Sequence, residues 1–168
     1  RTMVRCGPLF EAHSEHDLAE KLIIDADPGI GDAIAIALAL CDPAIEVVAL
    51  TATSGRVTGA QATHNLQCVT AILDPDLWPR LGDCDRPIFP APGGVYVPPS
   101  ALLDGETGLG ECNVPISALH QRHVSPRLLA ELVRSQPHQI TLLTLGPLTN
   151  VELALAGEEI AGYYEARD

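Results

Sequence analysis

The stretch Leu22-Ile23-Ile24-Asp25-Ala26-Asp27-Pro28-Gly29-Ile30-Gly31-Asp32-Ala33 joins an apolar run to a carboxylate-rich turn and an alanine-rich segment. The length and β-branched content of Lys21 to Ala26 favour a strand buried in a parallel sheet over a helix. Asp27-Pro28-Gly29 bounds that strand, and Asp32 to Cys41 suits a short helix that stops before Asp42-Pro43. A strand end leading into a helix start is the edge of an open α/β sheet at which ligands bind. Asp25 and Asp27 are two apart, so they share one face if the strand continues that far. The Pro28-Gly29 turn brings Asp32 back towards them. Three carboxylates within eight residues repel one another unless something positive lies between them. A hard divalent cation, with oxygen ligands at about 2.3–2.6 Å, meets that need. Asp32 also gains from the positive end of the helix dipole. The plainer alternative has one aspartate capping the helix and the others solvated.

Working outward, Ile45 to Thr51 repeats the strand signature. Thr58-Gly59-Ala60-Gln61 fits a capping box, with Thr58 as N-cap and Gln61 as its reciprocal partner, opening a helix to about Leu73. Prolines and glycines crowd Asp74 to Pro99, which reads as one long loop. Ser125-Pro126 suits an N-cap and first-turn pair for a helix through Arg134. Gln139 to Leu145 is another buried strand and Pro147 to Ala156 another helix. Strands alternating with helices, all with apolar strands, indicate an α/β fold: a mainly parallel sheet with helices on both faces. Residues 1–20 read as a polar leader, 21–156 as the folded domain and 157–168 as a polar tail.

Composition narrows the function classes. Of 168 residues, 22 are acidic and 10 basic, a formal charge of −12. That balance excludes a phosphate-backbone partner, which needs clustered Lys and Arg. The 46% hydrophobic content supports a buried core. The longest apolar run, Ala33 to Cys41, is about half the roughly 20 residues that span a bilayer. Cys6, Cys41, Cys68, Cys84 and Cys112 are odd in number and lack a C-x-x-C pair, which favours reduced thiols and a cytoplasmic setting. Cys41 and Cys68 read as small packing residues. The expected start on Arg rather than Met suggests a fragment or processed product.

Two separated segments carry a family resemblance. Leu22 to Ala33 resembles the aspartate-rich signature of the inosine/uridine-type nucleoside hydrolases, and Thr141-Leu142-Leu143-Thr144-Leu145-Gly146-Pro147-Leu148-Thr149-Asn150 resembles a second motif of that family. Between them Glu46 to Thr53, Gln61 to Asn65, Asp85-Arg86-Pro87 and Gly105 to Gly110 also fit in order. The resemblance implies a Rossmann-like fold and a calcium-dependent hydrolase that cleaves the N-glycosidic bond of ribonucleosides to ribose and free base. By the same resemblance Asp27 and Asp32 are metal ligands, Asp27 is also the general base, and the Leu145 backbone carbonyl is a further ligand. Asp25 supports the ligands from behind, and Arg56 and Asn65 occupy positions facing substrate.

The resemblance also has gaps. Gly31 stands where the family usually has an aspartate that binds a ribose hydroxyl. Arg56 replaces an asparagine and His64 an arginine, while Asp104 and Thr107 replace a histidine and an aspartate. Family members are nearly twice as long, and their C-terminal half supplies another metal-binding aspartate and a histidine near the leaving base. The chain is therefore expected to be a C-terminally truncated version with weak calcium binding and little turnover. A truncated sheet leaves an apolar edge, consistent with a homo-oligomer. Two other functions compete with hydrolysis. One is a non-catalytic ribose- or metal-binding remnant, favoured by Gly31 and Arg56. The other is a haloacid-dehalogenase-like phosphatase, which Asp25-Ala26-Asp27 after a strand would suit but Pro28-Gly29 does not. His120-Gln121-Arg122-His123 reads as a surface loop.

Overall fold

The computed structural model describes residues 19–87, 101–110, 112, 114, 116 and 123–157. The expected leader and tail lie outside these, apart from Ala19, Glu20 and Gly157. Among the described residues, five strands and five helices follow one another as β1 (Glu20–Ala26), α1 (Ile30–Cys41), β2 (Ile45–Ala52), α2 (Gly59–Leu73), β3 (Arg80–Asp83), α3 (Ala101–Asp104), β4 (His123–Val124), α4 (Ser125–Ser135), β5 (Ile140–Thr144) and α5 (Thr149–Gly157). All strand pairs are parallel, in the order β4-β3-β2-β1-β5. The expected α/β sheet is therefore present.

Alternation along β1 divides the core in two. Ile24 and Ala26 point to one face, where they pack with Ile36 of α1 and Leu66 and Val69 of α2. Ile23 points to the other, among Leu128, Leu129 and Leu132 of α4 and Ala154 of α5. Both faces of β1 are covered, as a parallel sheet requires, whereas β5, expected to be buried, is an edge strand that leaves Thr141 and Leu143 exposed. Burying a side chain the size of Ile23 or Ile24, both wholly enclosed, contributes roughly 1.5–3 kcal/mol. Substituting either with a charged residue would break the layer it joins.

The chain adds β2, β3 and β4 on one side of β1, then returns to add β5 on the other. That reversal makes the β1/β5 boundary a topological switch point, where loops diverge and leave a crevice at the C-terminal strand ends. Asp25-Ala26-Asp27 leaves β1 and Leu145-Gly146-Pro147 leaves β5 at this boundary. The Leu145 N–H reaches the Asp25 carbonyl at 2.8 Å, carrying the ladder one step past β5.

Several local expectations are corrected. The stretch from Asp74 is not one loop, because Leu81 and Gly82 pair with Leu50 and Thr51 to make β3; residues 88–100 lie outside the described set. Ser125 is the first residue of α4 rather than its cap, which is Val124. Its hydroxyl instead donates to the Asp83 carbonyl at 3.0 Å. His123 belongs to β4 rather than to a loop. Thr58 does cap α2 by accepting from the Gln61 N–H at 3.2 Å, but the Gln61 side chain donates to Asn65 at 2.9 Å. Cys41 is disulfide-bonded, against the expectation of a free packing thiol, whereas Cys68 and Cys84 are buried free thiols.

Candidate active site

The three aspartates of the opening stretch occupy three different environments. Asp25 is wholly buried at the end of β1. Its Oδ1 accepts from the Thr51 hydroxyl at 2.6 Å and from the Asn150 amide at 2.7 Å. Its Oδ2 is buried without a hydrogen-bond partner. Burial raises the carboxyl from 3.8 to about 6, against the lowering effect of the two donors.

Asp27 follows the strand and is 7% exposed. Its Oδ2 accepts from the Arg56 backbone N–H. Burial raises its pKa, the Arg56 N–H opposes that, and the charge of Asp32 adds to the rise. The carboxylate fits because two glycines flank it. A Cβ at Gly55 would strike Asp27 Oδ2 and stand 2.7 Å from Pro147 Cδ. One at Gly146 would stand 2.7 Å from Asp27 Oδ1 and 2.6 Å from Thr53 Cγ2. Asp27 therefore lies directly against the turn that carries the Leu145 and Gly146 backbone.

Asp32 sits in the first turn of α1, half-buried, and its Oδ2 accepts from the Gly29 N–H at 3.2 Å. This closes the Pro28-Gly29 turn onto the helix start, where a carboxylate is also favoured by the dipole. Each aspartate thus has its own donors. The expected gathering of all three is not observed: among the described residues, no three His, Cys, Asp or Glu side chains converge to hold a metal ion. Asp25 turns into the sheet interior, because Thr51 and Asn150 are there to receive it. Asp27 and Asp32 are left at the C-terminal edge of the sheet, after β1 and in the first turn of α1.

The remaining sequence candidates also have defined places. Asn65 is 1% exposed. Its amide nitrogen donates to the Pro28 carbonyl at 3.0 Å and to the Thr107 carbonyl at 2.8 Å. Asn65 thereby brackets the segment around Thr107 onto the Pro28 turn, with Gln61 filling its Oδ1. Gly108 completes the bracket at φ +86°, where a Cβ would stand 3.0 Å from the Pro28 carbonyl. Arg56 joins the site twice, through its backbone N–H on Asp27 and through an ion pair between its guanidinium and Asp104. Sequence reasoning missed Asn150 as a site residue. The available signal was an asparagine entering an apolar helix directly after Gly146-Pro147-Leu148-Thr149.

The donor set toward the crevice is all oxygen: two carboxylates that feel each other's charge and the adjoining backbone of a glycine turn. That chemistry fits part of the shell of a hard divalent cation, which takes 6–8 oxygens when it is calcium.

The chain is similar to known proteins in sequence and in fold. The family model described as inosine-uridine preferring nucleoside hydrolase matches residues 22–161. Uridine nucleosidase 1 of Arabidopsis thaliana is 37% identical over 139 residues, covering 81% of this chain and 40% of that protein. The inosine-uridine preferring nucleoside hydrolase of Crithidia fasciculata is 35% identical over 141 residues, covering 82% of this chain and 43% of its own length. A solved purine-preferring ribonucleoside hydrolase from Gardnerella vaginalis superposes with a TM-score of 0.71 at 27% identity, covering 85% of this chain and 46% of that one. The chain spans less than half the length of these relatives. Matched across its motifs and its fold, the chain belongs to the inosine-uridine preferring nucleoside hydrolase family.

Proposed function

We propose that the chain provides the cation-binding and water-activating side of a ribonucleoside hydrolase site, which cleaves the N-glycosidic bond to give ribose and free base. One observation carries this reading: the Asp27 carboxylate is seated between Gly55 and Gly146 at the sheet's switch point. Asp27, Asp32 and the Leu145 carbonyl would hold the ion, calcium by the chemistry of hard oxygen ligands. When bound, a divalent cation supplies an acidified water and a grip on ribose hydroxyls.

Asp27 takes a proton from the attacking water. Its raised pKa brings it closer to neutrality, where a general base is more effective. The water oxygen bonds to the ribose carbon while the carbon–nitrogen bond breaks, and the base departs with the bonding electrons and takes a proton from solvent, while Asp27 returns its proton to solvent. The sugar carries positive charge as that bond lengthens, and the acidic crevice stabilises it. Asp25 and Asn150 hold the end of β1 from behind, fixing the strand that presents Asp27. Asn65 positions the Pro28 turn and does not itself meet substrate, because its amide groups are already bonded. Among the described residues, no helix is long and apolar enough to cross a membrane. Ile34 and Leu38, 57% and 49% exposed on α1, favour self-association, which size-exclusion chromatography reads as a dimer or larger.

A second reading, binding without turnover, is favoured by Gly31, which offers no side chain at the start of α1. Paired measurements separate the two readings: calorimetry with Ca²⁺ and then inosine or uridine, beside assays of free base and ribose. Calcium-dependent base release that disappears in Asp27→Asn supports hydrolysis. Calcium-dependent nucleoside binding without base release assigns the binding remnant. Base release unaffected by EDTA and by Asp27→Asn overturns the mechanism.

A further inference from the structure

Arg56 brings a cation into the site, and its direction is decided by a residue 48 positions away. The Arg56 backbone N–H is fixed on Asp27, so its side chain starts beside that carboxylate. The guanidinium runs across Gly29, where an added Cβ would meet Nη1, and ends on Asp104. Gly29 is also the residue whose N–H holds Asp32. The guanidinium therefore lies over the Pro28-Gly29 turn that joins Asp27 to Asp32. Asp104 is 6% exposed at the end of α3, and its carbonyl receives the Gly110 N–H at 2.6 Å. That turn is in turn pinned to Pro28 through Asn65. The acceptor for Arg56 is thus fixed in place, while the guanidinium lies at the end of a flexible stem.

Resting on the cation-binding reading above, we propose that Asp104 is a positioning residue for the metal site. It draws the Arg56 guanidinium off Asp27 and Asp32, leaving those carboxylates available to a divalent cation. Without Asp104, Arg56 is left beside carboxylates that a metal needs, with its N–H on Asp27 and its guanidinium over the Gly29 that holds Asp32. A guanidinium on them competes with the ion both for oxygen lone pairs and through like-charge repulsion.

The test is Ca²⁺ titration calorimetry on the EDTA-stripped chain and its variants Asp104→Asn, Arg56→Asn and the double variant, with thermal unfolding of each in EDTA. Asp104→Asn is expected to weaken calcium binding about tenfold, and Asp104→Glu to retain it. In the Arg56→Asn background, Asp104→Asn is expected to change nothing, since no guanidinium remains to be restrained. Equal weakening in both backgrounds overturns the proposal, because Asp104 then acts through its own charge or through the fold. Unchanged affinity in Asp104→Asn overturns it as well. If Asp104→Asn alone does not fold, the comparison of Arg56→Asn with the double variant decides: equal affinities support the proposal and a further loss overturns it. Folded variants that all fail to bind calcium remove the cation-binding reading itself, a different failure from calcium binding that ignores Asp104.

Discussion

Asn150, at the start of α5, donates its amide to Asp25 Oδ1 at 2.7 Å and to the Ala52 carbonyl at 2.8 Å. One buried side chain thus joins the C-terminal ends of β1 and β2 to the helix that follows β5. It spans the switch point from behind, on the side of the sheet away from α1.

Removing that amide leaves a buried carbonyl without its donor and a buried carboxylate with one fewer. Asn150→Ala is therefore expected to destabilise the chain by about 2–4 kcal/mol, and urea unfolding monitored by circular dichroism measures this. A loss below 0.5 kcal/mol, about the level of an ordinary surface change, would show that Asn150 does not brace the strands.

The buried carboxylate gives stability a definite pH dependence. Asp25 binds its proton more tightly folded than unfolded, with a value raised from 3.8 to about 6. Below the lower value both states are protonated and no penalty applies. As pH rises through this window the unfolded chain ionises first, so stability falls, on the order of 3 kcal/mol in all. The raised pKa of Asp27 acts in the same direction. Asp25→Asn removes the first contribution. In EDTA, the stability of wild type relative to Asp25→Asn should decline between about pH 4 and 6.5 and then level off. A difference that stays flat across this range contradicts the account.

Two glycines separate shape from propensity. At Gly146 a Cβ meets Thr53 Cγ2 at 2.6 Å and Asp27 Oδ1 at 2.7 Å, while at Gly31 it meets nothing within 4 Å. Gly146→Ala should cost about 1–3 kcal/mol and weaken calcium binding, because it pushes Asp27 out of its cradle. Gly31→Ala should be neutral or stabilising by up to about 1 kcal/mol, since alanine suits a helix better. Thermal melts of both variants with and without Ca²⁺ check the contrast. Equal effects at the two positions would mean that the cradle does not constrain Asp27.

Much of this fold was legible because its signals are local. The apolar runs at Leu22–Ala26 and Ile140–Thr144 are strands that length and β-branched content can find, although edge strand β5 leaves Leu143 exposed. Thr58 caps the residues next to it. By contrast β3 is short and contains Gly82, and its strand character comes from pairing with Ala49–Thr51, about thirty residues earlier. Ser125 has the residue type of a cap, but the distant Asp83 carbonyl takes its hydroxyl. The site divides in the same way. Asp25, Asp27 and Asp32 stand out in the sequence, yet only the folded chain shows that Asp25 faces Thr51 and Asn150 while the other two accept from the Arg56 and Gly29 N–H groups. Arg56 and Asp104 give no local sign that they form one ion pair.

The central claim concerns Asp27, Asp32 and the Leu145 carbonyl acting together on one ion. A crystal structure of the chain grown in saturating Ca²⁺ tests it most directly. The account predicts a density peak between those groups, with both carboxylates and the carbonyl at about 2.3–2.6 Å from it and Arg56 still on Asp104. Carboxylates that remain on the Arg56 and Gly29 N–H groups, with no peak between them at saturating calcium, would contradict it.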